Sequence, residues 1–81
     1  MHENVKFHLS RHAALRLAER KIPLEYVKNV IHYADREKRL QNGTHGGILK
    51  RFTKTDGSRI LSVVAEIKQN ECWLATAYYE D

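Results

Sequence analysis

Residues 23–35 read Pro-Leu-Glu-Tyr-Val-Lys-Asn-Val-Ile-His-Tyr-Ala-Asp, and the fold turns on them. Leu24, Val27, Val30, Ile31 and Ala34 recur at helical spacing, which gives a helix over about 23–33 one apolar face. Pro23 suits its first turn, where the missing N–H costs nothing. After Asp35 the period changes from about 3.6 to two. A polar stretch at 36–41 reads as an edge strand, its charges blocking unwanted pairing. Asn42 to Gly47 is a loop. Residues 47–54 read as a strand, with Ile48 and Phe52 on one face and Leu49 and Arg51 on the other. Asp56-Gly57 is a hairpin signal, 59–68 a strand rich in β-branched residues, 69–71 a turn, and 72–79 a final strand.

Working back from Pro23, Ser10 offers a helix N-cap and a helix over about 11–21 follows. Ala14, Leu17 and Ala18 form its apolar stripe, with Leu15 beside it. Val5 to Leu9 alternates as a short half-buried strand. The order β-α-α-β-β-β-β predicts an α+β fold: a strand, two N-terminal helices, then a four-stranded antiparallel sheet with the helices on one face.

The chain has 81 residues, 42% hydrophobic and 30% charged, with one proline and no repeat or linker. That length suits one small domain over 1–81. No run approaches the ~18 apolar residues of a membrane span. The first ten residues carry histidine, acid and lysine with no signal-like apolar stretch. The lone Cys72 cannot form an internal disulfide and reads as a small buried hydrophobe. The cytoplasm is therefore the expected compartment, without a membrane contact. Lys and Arg number 14 against 10 Asp and Glu, giving +4, which favours an anionic partner such as RNA, DNA or an acidic protein. So small a core also leaves room for a homodimer or a bound partner to supply burial.

His12, Arg16 and Arg20 stand at i, i+4 and i+8, a row that could follow a phosphate backbone or be a solvated helix face. His12 lies in the first turn, where the helix dipole favours the neutral imidazole that a general base requires. Lys50, Arg51, Lys54 and Arg59 cluster about the Asp56-Gly57 hairpin; arginine clamps phosphate with paired donors, and the plainer reading is a soluble hairpin. In the last strand Thr76 and Tyr78 share one face, and Trp73, Ala75, Ala77 and Tyr79 the other. Hydroxyls there can hold a phosphate, and the plain reading of Trp73 is core. The histidines have no metal spacing: His8 and His12 flank the helix start, while His2, His32 and His45 have no evident partners. The glycines of 43–47 lack a P-loop lysine pattern. No metal or other cofactor is expected.

Ser10-Arg11-His12-Ala13, Arg16, Glu19-Arg20-Lys21-Ile22 and Val27 resemble the opening of the DUF4258 family, a strand followed by (S/T)-R-H-A-x-x-R-x-x-E-R-x-I. Arg59-Ile60-Leu61-Ser62-Val63-Val64 and Ala75-Thr76-Ala77-Tyr78 resemble its closing strands. The resemblance implies a fold of the RelE/barnase type, similar to BrnT-like toxins. It also implies metal-independent RNA cleavage by the 2′-OH, with a cognate antitoxin protein as partner. The active groups implied are His12, Arg16, Arg59 and Thr76. The physical reading adds Arg51 and Tyr79 as catalytic candidates, and Arg20, Lys50 and Lys54 as holders of flanking RNA. The competing expectation is a non-catalytic module binding RNA or protein through the same basic face. A DNA-binding regulator is less favoured, because the Ile22-Pro23 junction is too short for a helix-turn-helix.

Overall fold

In the computed structural model, which describes residues 5–80, the elements run β1 (Lys6–His8), α1 (Arg11–Glu19), α2 (Leu24–Tyr33), β2 (Arg36–Asn42), β3 (Ile48–Asp56), β4 (Arg59–Lys68) and β5 (Glu71–Glu80). Ser10 caps α1 by accepting the Ala13 N–H at 3.0 Å. The helix closes two residues earlier than its sequence suggests, because Lys21 adopts the left-handed conformation (φ 55°) and the Ile22 N–H donates back to the Leu17 carbonyl. Pro23 stands just outside α2, as its N-cap.

The sheet has five strands, ordered β1-β5-β4-β3-β2, rather than four. β1 is the added member. It pairs in parallel with the start of β5, Lys6 opposite Glu71 and His8 opposite Trp73. The other three pairings are antiparallel, as expected. The β3–β4 turn is Gly57-Ser58, closed by the Asp56–Arg59 pair, one residue later than an Asp-Gly turn.

Both helices lie on one face. Val27, Val30 and Ile31 of α2 and Ala13 and Leu17 of α1 pack on Phe52, Leu61, Val63, Ala65, Cys72, Leu74 and Ala77. Each large apolar side chain removed from water there contributes about 1.5–3 kcal/mol. The buried stripe of α1 is Ala13/Leu17, not Ala14/Leu17/Ala18; Ala14, Ala18 and Leu15 face solvent. Among the described residues, no helix is long and apolar enough to cross a membrane.

One irregularity decides which side chains face where. Val64 pairs with Thr76 and its neighbour Ala65 with Leu74, so Ala75 is an extra residue, a β-bulge. Before it, Cys72 and Leu74 point to the helices; after it, Ala77 and Tyr79 do. Thr76 and Tyr78 therefore share the helix-free face with Trp73, which is a correction to the strict alternation expected for this strand. A second bulge leaves Leu40 unpaired on the fully exposed edge strand β2.

Candidate functional site

By register, the helix-free face of the sheet carries two of the sequence candidates, Arg51 and Thr76. One row across it reads Thr76, Val64, Arg51 and Lys38 on β5, β4, β3 and β2. The next row towards the start of β5 reads Trp73, Glu66, Leu49 and Gln41.

Among the described residues, β5 has no strand beside it on the β1 side beyond Trp73. Arg20 closes that gap: its Nη1 donates to Thr76 Oγ1 at 3.0 Å and to the Ala77 carbonyl at 2.8 Å. The cationic row of α1 and the hydroxyl of β5 are thus brought together at Arg20. Arg16 and His12 continue the row one and two turns back, both exposed. Among the described residues, no hydrogen bond holds the His12 ring.

The remaining candidates sit elsewhere. Arg59 lies over the Tyr79 ring, 3.6 Å from its centroid, and the Tyr79 hydroxyl donates to Asp56 Oδ2 at 3.1 Å. Burial, then the bond to Asp56, raises the Tyr79 hydroxyl above the usual tyrosine range. This cluster stands by the β3–β4 turn, on the helix side of the sheet. Lys50 and Lys54 also occupy the helix side of β3. Lys50 pairs with Glu37 at 2.6 Å, and Lys54 donates to the Tyr33 carbonyl at 3.1 Å. The six catalytic candidates therefore fall into three regions: His12 and Arg16 along α1, Arg51 and Thr76 in one cross-strand row with Val64 between them, and Arg59 on the Tyr79 ring.

A further cluster was not evident from the sequence. Glu66 is only 4% exposed, yet its carboxylate is fully engaged. It accepts from the His45 N–H and the Gly47 N–H, each at 2.8 Å, and from His45 Nδ1 at 2.8 Å. Burial alone would raise its pKa. The His45 side chain and the two backbone donors outweigh that and hold it below the ordinary carboxylate range. The 43–47 loop is glycine-rich because it wraps this carboxylate. A Cβ on Gly43 would lie 2.0 Å from Glu66 Cδ, and one on Gly47 2.5 Å from the Ile67 carbonyl oxygen.

Trp73 is only partly buried and is not core. His45 stacks on it with centroids 4.3 Å apart and planes 9° from parallel. His8 stacks on it at 4.8 Å and 8°, with Nε2 of His8 bonded to Glu71 at 2.9 Å. In the sheet, His8 on β1 and Glu66 on β4 are the two cross-strand neighbours of Trp73, so the imidazoles approach the indole from both sides. Both its faces are taken, which leaves no platform for a nucleobase. The glycines around His45 were the one available sequence signal, and they say only that the backbone passes close to something. His2 lies outside the described residues.

A family model described as a domain of unknown function, DUF4258, matches residues 9–79. No curated protein and no solved structure matches the chain.

Proposed function

The chain belongs to the DUF4258 family, and from that premise we propose that it is a small metal-independent endoribonuclease of the RelE/barnase-like, BrnT-similar kind, the cytoplasmic toxin of a toxin–antitoxin pair. RNA is its substrate and a cognate antitoxin protein its partner. The observation that carries this reading is the Arg20–Thr76 junction, with Arg51 two strands away on the same face. A phosphodiester seated at that junction meets the Thr76 hydroxyl beside the Arg20 guanidinium, with Arg51 further along the same cross-strand row, which suits the charge that builds on phosphorus during attack by the 2′-OH. The nucleophile belongs to the RNA itself, so the protein's duties are to hold the phosphate and move protons. Arg16, one turn before Arg20, extends the cationic track for the flanking strand.

The test is cleavage of an RNA oligonucleotide in EDTA by the wild type beside Arg20→Ala and Thr76→Val, with and without ribosomes. The expected result is product with 2′,3′-cyclic phosphate ends, and a loss of about 10–1,000-fold in each variant. Salt-dependent RNA binding with no cleavage under any of these conditions overturns the reading in favour of a non-catalytic binding module.

A further inference from the structure

Cleavage by a 2′-OH needs a group to take its proton, and His12 is poorly prepared to be that group, since nothing described holds its ring. His45 is differently placed. Its Nδ1 faces the Glu66 carboxylate, so in the neutral ring the hydrogen sits on Nδ1 and the lone pair on Nε2. Trp73 fixes the plane of the ring from one side. The backbone of the same loop is tied down by two N–H groups donating to that carboxylate and by Lys68 Nζ donating to the His45 carbonyl at 3.3 Å. The His45 side chain nonetheless remains 46% exposed. A buried carboxylate, two close-packed glycines and an indole thus hold one solvent-facing imidazole.

Its position suits the phosphate site. Glu66, to which the ring is anchored, lies two residues from Val64 on β4, and Val64 separates Thr76 from Arg51. The two rows are about 7 Å apart. After the Ala75 bulge, Thr76 stands on the same face as Trp73.

We propose that His45 is the proton-transfer residue of the RNA cleavage, with Glu66 as the residue that positions it; the inference rests on the ribonuclease reading above. Nε2 of His45 takes the proton of the 2′-OH. The 2′-oxygen forms its bond to phosphorus as the bond from phosphorus to the 5′-oxygen breaks, and the departing 5′-oxygen takes a proton from water. The products are a 2′,3′-cyclic phosphate and a 5′-hydroxyl. The charged and titratable groups around the ring are Glu66 and Lys68 on β4 and, across Trp73, His8 with Glu71.

The experiment compares the wild type with His45→Ala, His45→Asn, Glu66→Gln and His12→Ala on one RNA oligonucleotide in EDTA, across pH, with and without ribosomes. Asparagine keeps an N–H directed at Glu66 but cannot transfer a proton. The proposal expects His45→Ala and His45→Asn to lose about 100-fold or more in kcat with KM little changed. It also expects free imidazole to restore part of the His45→Ala rate. Glu66→Gln is expected to shift the pH–rate profile as well as lower it. Unfolding curves confirm that each variant is folded, and His45→Asn carries the test if His45→Ala is not. Wild-type rates in His45→Asn would reduce the ring to a loop staple and overturn the proposal. Loss in His12→Ala with retention in both His45 variants would overturn it too, and leave the ribonuclease reading standing. If the wild type itself cleaves under none of these conditions, the ribonuclease reading falls and this assignment falls with it.

Discussion

Cys72 is fully buried beneath the helices, and that burial pushes its thiol up to about 12. The folded protein thus keeps the proton after an unfolded thiol, with a pKa of about 8.5, has lost it. The sign follows: the stability linked to Cys72 is complete below that value and is lost as pH rises towards 12. At pH 8 a disulfide reagent is expected to leave native Cys72 untouched and to label it fully once the chain is unfolded. Rapid labelling of the native protein would mean that this part of β5 opens. The sequence made Cys72 legible, because a single thiol in an apolar run is normally packed. It did not make His45 legible. The ring and its carboxylate are 21 positions apart, and neither residue has a helix or strand periodicity that would announce the other. Trp73 misled for a related reason: a large aromatic in a final strand is usually core, but here two imidazoles cover what the helices do not.

At the scale of elements, α2, β3 and β4 follow from period and turn residues, because each buries one face, whereas β2 buries none and was read from its charge as an edge. The face of α1 was harder. Ala13, Ala14 and Ala18 are too small and too alike for spacing to choose among them, and Leu17 alone fixes the stripe. The bulge at Ala75 was illegible, since nothing in Leu74-Ala75-Thr76-Ala77 distinguishes the extra residue from its neighbours. Its importance can be measured. Deleting Ala75 restores strict alternation and forces either Leu74 and Cys72 or Ala77 and Tyr79 out of the core. The expected outcome is loss of a cooperative melting transition. Ala75→Gly keeps the extra residue and is expected to move Tm by no more than about 4–8 °C. A deletion variant that melts like the wild type would show that β5 tolerates either register.

For the molecule as a whole, class and helix placement could be read from the order of elements, but the fifth strand could not. β1 is three residues long, and its partner lies at the opposite end of the chain, Lys6 against Glu71, a separation of 71 − 6 = 65 positions. No local pattern encodes so distant a pairing. Contacts of that kind form against the entropy of closing a long loop, which slows folding. Trp73, the one tryptophan, sits at this junction and meets His8 only when β1 docks. In stopped-flow refolding its fluorescence is expected to reach the native value with or after the far-UV dichroism; an earlier arrival would mean that β1 docks before the antiparallel strands exist. The stacked indole therefore has a use apart from chemistry. Sequence distance becomes waiting time, and the colour of one side chain keeps the record of when the two ends of the fold have met.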